Sequence, residues 1–311
     1  MMNEELKKQL RNRGICVIIP TYNNDTTIKT VVEKCLLYCD DVIVVTDGCT
    51  DRTTDILDAI DGITIVSYPQ NRGKGYALKM GFRRALEMGF SYAITLDGDG
   101  QHYPEDIPLF LKANQQHPQS LIIGSRQLEG VDRSKGSSFA NKFSNFWFYV
   151  QTGRALPDTQ TGYRLYPLHR LHGLSLLTSR YEAELELLVF ASWHGVKLIP
   201  IPVQVYYPPR NERVSHFRPG KDFARISVLN TVLCFLAVVY GLPLRLCRAL
   251  MTILRTVYSL LFFLFFTLVV FTPFVWIYTK FGKMTERRRY RLHQLIYHAS
   301  RFVMIHHSDK L

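Results

Sequence analysis

Asp97-Gly98-Asp99-Gly100-Gln101-His102 is the stretch of this chain best equipped for chemistry. It ends an apolar run with two carboxylates two positions apart, and if the backbone is still extended there both side chains project to one side. Two hard oxygen donors on one side suit Mg²⁺ or Mn²⁺ bridging to a substrate diphosphate. The flanking glycines let a bulky ligand come close to the backbone. A solvated turn at a strand end would look the same, so the motif gains weight only from its company. Pro20-Thr21-Tyr22-Asn23, Thr46-Asp47-Gly48-Cys49 and Gly124-Ser125-Arg126 sit at the ends of other short apolar runs. Asn71-Arg72-Gly73-Lys74-Gly75 follows a further one, and it lacks the glycine spacing and the Ser/Thr after lysine of a P-loop.

The elements that must position these residues are legible as an alternation. Residues 15–19, 42–46, 63–67, 92–96 and 121–124 are β-branched, apolar and too short for helices, as expected of strands covered on both faces. Helical patterns fall between them at 25–38, 51–60, 75–88 and 104–116. The expected fold class is therefore α/β with a mainly parallel central sheet. Ligands of such sheets bind beyond the C-terminal strand ends, where the polar motifs cluster here.

Over residues 15–207 this ordered set of motifs resembles the family-two glycosyltransferases, which have a GT-A fold, and most closely their polyprenyl-phosphate mannose and glucose synthases. The resemblance implies a nucleotide-sugar pocket bordered by Pro20, Thr21 and Asn23, with Asp47 at the base or ribose and Lys74 in the same pocket. It implies Asp97 at the nucleotide diphosphate, Asp99 as a metal ligand joined by Asp97 and Gln101, and Arg126 neutralising phosphate. Thr161-Gly162-Tyr163-Arg164, after Asp158, resembles the acceptor-side motif, and Arg213 and Ser215 fall where related synthases carry a basic acceptor motif. One departure is Thr46-Asp47-Gly48-Cys49, where the family often has Asp-Asp-Gly-Ser, which opens the choice between GDP- and UDP-linked donors.

The chemistry divides on the acceptor. The metal and Arg126 would offset charge on the leaving diphosphate, and attack on the far face of the sugar would invert the anomeric carbon. A hydroxyl acceptor needs a general base, whereas a polyprenyl phosphate is already an anion. Tyr181-Glu182-Ala183-Glu184-Leu185-Glu186 opens a predicted helix, and Glu184 or Glu182 would be that base. Acids at a helix N-terminus are also favourable without any such role.

Net charge sharpens the partner question. Residues 1–209 carry 22 basic and 22 acidic side chains, and residues 210–311 carry 16 and 4, so the whole excess of +12 lies in the last third. There, basic residues flank two apolar segments, 226–242 and 257–279; the second is 23 residues without a charge, long enough to span a bilayer. The expected organisation is a cytosolic domain over 1–209, a basic linker over 210–225, membrane segments over 226–279 and a basic cytosolic tail over 280–311. Segment 226–242 either spans or lies in the interface. A hairpin would put both basic flanks on the cytoplasmic side. The six cysteines lack metal or disulfide spacing and read as free thiols. A non-catalytic membrane or nucleic-acid-binding module is the competing class. Nucleic acid is disfavoured because the charges collar apolar segments instead of interleaving with stacking aromatics.

Overall fold

In the computed structural model all five β-branched runs form strands: β1 (Ile15–Thr21), β2 (Val42–Asp47), β3 (Ile63–Tyr68), β4 (Tyr92–Thr95) and β5 (Leu121–Arg126). The structure describes residues 2–126, 135–171, 173, 176–206 and 219–281, with 290, 291, 293, 294, 297 and 298 beyond them. Two further strands, β6 (Arg164–Pro167) and β7 (Leu198–Val203), complete a seven-stranded sheet among the described residues, ordered β3-β2-β1-β4-β6-β5-β7. The strands β1 to β4 are mutually parallel, and β5 pairs parallel with β7. Strand β6 runs antiparallel to both of its neighbours, β4 and β5. Six strands thus end at one edge of the sheet, and β6 begins there, which brings the Thr161–Arg164 motif to the rim.

The helices are α1 (Met2–Asn12), α2 (Ile28–Leu36), α3 (Thr53–Asp58), α4 (Lys74–Glu87), α5 (Ile107–Gln116), α6 (Lys135–Thr152), α7 (Leu168–Leu171) and α8 (Glu182–Trp193). Period-two alternation sends β1 to two cores. Ile15, Val17 and Ile19 join the cluster under α2 and α5, while Ile18 packs against Gly81 of α4 on the other face. Every residue of β1 and β2 is buried, so truncating one such isoleucine to alanine would cost about 2–5 kcal/mol. Helix α2 starts later than its apolar pattern because Asn24 and Asp25 donate their backbone N–H groups to Thr53 Oγ1 and Asp51 Oδ2, holding that segment as a loop.

The compact unit containing the sheet extends through Leu242 and a second unit follows. In the first, α9 (Pro219–Leu236) lies against α6 and α8 and buries Leu229, Asn230 and Leu233, while Val228 and Phe235 stay exposed. Asn230 Oδ1 accepts a hydrogen bond from buried Gln151 at 3.0 Å. In the second, α10 (Leu242–Phe265) and α11 (Thr272–Phe281) flank a π-helical turn. The turn expected between two apolar segments does not form, because residues 243–256 are the first part of α10. By length and composition one helical stretch, Ala224–Trp276, is able to cross a membrane, with mean hydropathy 2.2 in its most apolar window.

Candidate active site

The rim at the C-terminal strand ends is assembled by backbone–side-chain clamps. Asn23 takes a left-handed backbone, φ 51°, and its amide pairs with Thr50, accepting from the backbone N–H at 2.8 Å and donating to Oγ1 at 3.1 Å. Thr21 is buried, and its hydroxyl accepts from Asn24 at 3.0 Å. These contacts join the loops after β1 and β2 beside Pro20, the penultimate residue of β1.

Asp47, expected at the base or ribose, is anchored to a neighbouring loop. It is buried, and its two oxygens accept the backbone N–H groups of Arg72 at 2.7 Å and Gly73 at 2.8 Å. Gly48, at φ 64°, has no room for a side chain against Gln70 and Asn71, which is what lets the two loops close together. The Asp-Gly pair after β2 therefore shapes the Asn71–Gly75 loop, and the family's first carboxylate is not needed for that clamp.

That loop delivers Lys74 to the centre of the site. Its Nζ lies 2.7 Å from Asp97 Oδ1 and 2.9 Å from Glu184 Oε2. Burial opposes the ionisation of Asp97, but the adjacent ammonium outweighs it and holds the carboxyl below its usual range. Asp99 goes the other way: burial, then the charge of Asp97, push it up to about 6. Its Oδ1 accepts the backbone N–H of Gln101 at 3.0 Å. Burial also drives His102 down to about 4, and its neutral ring accepts the Asp97 N–H through Nδ1 at 3.3 Å.

Two carboxylates driven apart in this way suit a divalent cation, which would relieve their repulsion. Among the described residues no group of three or more His, Cys, Asp or Glu side chains is arranged around a metal. Asp97 and Asp99 are the residues that could hold Mg²⁺ or Mn²⁺ there, with phosphate and water oxygens supplying the remaining ligands.

Other expected residues are tied to the protein by contacts that no sequence pattern marked. Arg126, expected to meet phosphate, forks onto buried Asp158, with Nε–Oδ2 2.6 Å and Nη2–Oδ1 2.9 Å. Arg164, expected on the acceptor side, is fully buried. Its guanidinium donates to the Glu184 and Thr159 carbonyls at 2.9 Å each and to Tyr166 Oη at 3.2 Å, so it supports the site from beneath. Glu186 accepts from Leu177 and Thr178 and orders that loop. Glu182 is buried with Glu184 at the start of α8. Arg213 and Ser215 lie outside the described residues. Asp158 was visible only as a neighbour of the Thr161 motif, and nothing local marks a partner 32 residues from Arg126.

With that geometry in place, comparison with known proteins becomes informative. The model of the family described as Glycosyl transferase family 2 matches residues 16–166. Polyprenol monophosphomannose synthase of Mycolicibacterium smegmatis is 30% identical over 204 residues, 60% of this chain and 75% of that protein. The chain belongs to glycosyl transferase family 2. This glycosyltransferase is also 28% identical over 221 residues to the UDP-N-acetylglucosamine--dolichyl-phosphate N-acetylglucosaminyltransferase of Methanococcus voltae, covering 64% of this chain and 88% of that one. Among solved structures, glucosyl-3-phosphoglycerate synthase from Mycobacterium tuberculosis, in complex with Mn²⁺, UDP and phosphoglyceric acid, superposes with TM-score 0.57. That match covers 76% of this chain and 82% of the other at 18% identity, a likeness of fold. The GT-A-type α/β fold and the enzyme class expected from the motifs both stand.

Proposed function

We propose that this glycosyltransferase moves a sugar from a UDP- or GDP-linked donor to a lipid-linked acceptor, a polyprenyl phosphate. Asp97 and Asp99, with Gln101 adjoining, would hold Mg²⁺ or Mn²⁺, which supplies counter-charge to the donor diphosphate. Pro20, Thr21 and Asn23 form the loop wall for the nucleotide, and Asp47 fixes the opposite loop. Relatives named for dolichyl-phosphate and polyprenol substrates support the acceptor class. So does the Mn²⁺–UDP complex of the structural neighbour for the donor side.

The observation that carries this reading is the pairing of Glu184 with Lys74. The Lys74 ammonium occupies Glu184 Oε2 at 2.9 Å, where a hydroxyl acceptor would have to deliver its proton. A phosphate acceptor needs no base. Its oxygen attacks the anomeric carbon with inversion, the bond to the donor diphosphate breaks, and no proton has to move. Arg126 is held by Asp158 at the edge of β5, positioned to steady phosphate charge, and Arg213 and Ser215 would meet the acceptor phosphate. A hydroxyl acceptor is the second reading, favoured by buried oxygens of Glu182 and Glu184 without hydrogen-bond partners.

The exposed apolar surface supports attachment to a membrane. Exposed Phe146 and Tyr149 of α6 and Val228, Val232 and Phe235 of α9 would lie in the interface, and 257–279 would span. The basic linker of residues 210–225, drawn to anionic lipid, supports the catalytic domain on the cytoplasmic side. The test uses the full chain in vesicles, with chelator, Mg²⁺ or Mn²⁺, a panel of UDP- and GDP-sugars, and polyprenyl phosphate against polyprenol. Metal-dependent transfer to the phosphate alone is expected; transfer to polyprenol alone would replace this reading with the second. Protease added outside inverted vesicles should cleave the catalytic domain, and protection there would reverse the orientation.

A further inference from the structure

Three elements distant in sequence meet at one ammonium: Lys74 opens α4, Asp97 follows β4, and Glu184 lies in the first turn of α8. Gly162, just before β6, passes so close that a methyl there would stand 2.7 Å from Lys74 Nζ and 2.8 Å from Asp97 Oδ2. The Glu184 backbone carbonyl is itself held by the buried Arg164 guanidinium at 2.9 Å, so α8 is fixed on the side from which Glu184 reaches. Lysine carries a compact charge on a flexible stem, and a single carboxylate would leave Nζ free to swing toward phosphate oxygens. Two carboxylates from separate elements fix its place, and the side chain retains only 15% exposure. The cluster holds two negative charges and one positive. Lys74 therefore does not close Asp97 into a neutral pair, and Asp97 keeps negative charge for a cation on the donor diphosphate.

We propose that Glu184 is a positioning residue for the donor side: through Lys74 it fixes the Asp97 carboxylate toward the nucleotide diphosphate, and so makes α8 part of the donor site. Lys74 is then the pivot of this strut and not a free phosphate ligand. The inference rests on the reading of Asp97 as the residue that faces the donor diphosphate.

The decisive measurement is nucleotide affinity without any acceptor, which a general base does not influence. Full-length protein in detergent is titrated calorimetrically with UDP and GDP, with and without Mn²⁺, alongside thermal melting and transfer assays. E184Q is expected to weaken nucleotide binding roughly tenfold, and K74M/E184Q to bind no more weakly than K74M, because the two groups act as one unit. E184Q with wild-type nucleotide affinity, or effects of K74M and E184Q that simply multiply, would overturn the proposal. Should E184Q fail to fold, E184D keeps the charge but is one methylene too short for the 2.9 Å pair. It too is expected to bind nucleotide more weakly, and unchanged affinity would again overturn the strut. D97N separates the layers: weakened binding in D97N but not in E184Q removes the strut alone, and no effect of D97N removes the assignment of Asp97 beneath it.

Discussion

Gly162→Ala is the most economical probe of the site, because it adds one methyl group where charged atoms converge. The added carbon would stand 2.7 Å from Lys74 Nζ and 2.8 and 3.0 Å from the Asp97 oxygens. Gly162 is not among the glycines with positive φ, so alanine meets no backbone penalty there and the effect is steric. An isolated lysine tip would simply swing aside. This one is held between Asp97 and Glu184, so the ion pairs must retreat together by about 0.7 Å to reach ordinary contact. Overpacking of that kind costs about 1–3 kcal/mol. A carboxylate displaced by most of an ångström at the reacting centre costs on the order of 10²-fold in turnover. Denaturant unfolding and transfer rates at saturating donor measure the two effects separately. Gly220→Ala is the control, since among the described residues a methyl there meets nothing within 4 Å. A Gly162→Ala enzyme with unchanged stability and turnover within about twofold of wild type would refute the reasoning, because that corresponds to under ~0.5 kcal/mol at the transition state.

The other expectations concern the clamps around this centre. Asp47→Asn turns one of its two acceptor atoms into a donor facing backbone N–H groups now held at 2.7 and 2.8 Å, so it should lose about 1–3 kcal/mol of stability and weaken nucleotide binding in titrations. Asp158→Asn removes the counter-charge of the Arg126 fork and should destabilise by about 3 kcal/mol in denaturant unfolding, with transfer falling in step. Asn230→Ala strips buried Gln151 of its 3.0 Å acceptor and should cost about 1–2 kcal/mol, lowering Tm while nucleotide affinity is unchanged.

Sequence reading succeeded where a local pattern records a local cause. Continuous β-branched runs identified β1 to β5, and polar residues directly after them marked the rim. It missed β6 and β7 because their composition hides them. Arg-Leu-Tyr-Pro is a four-residue strand that reads as the tail of a motif, and Leu198–Val203 contains two prolines. Those prolines are tolerated because β7 is at the sheet edge, where a ladder donor can be lost. The same limit applied inside the site. Asp97 and Asp99 announce themselves by spacing, but that Arg126 forks onto Asp158, that Asp47 holds a loop, and that Arg164 lies beneath α8 depend on chain crossings 20 or more residues apart.

Residue type alone does not tell which partner a charge serves first. Arg126, Arg164, Lys74 and Asp47 each carry what a nucleotide diphosphate or lipid phosphate would want, and each already has a short contact to protein. A buried charge left unpaired is strongly destabilising, so a fold that brings several of them to one rim must first satisfy them with one another. The charge balance of residues 1–209 has that consequence built in. What distinguishes a ligand-facing group in such a site is a position whose pairing is incomplete. Asp97 shares one ammonium with Glu184, and Asp99 sits buried beside it with its carboxyl raised to about 6. These two carboxylates carry charge that the protein alone does not neutralise, and on the proposed reading it is there that a divalent cation and a diphosphate would have something to complete.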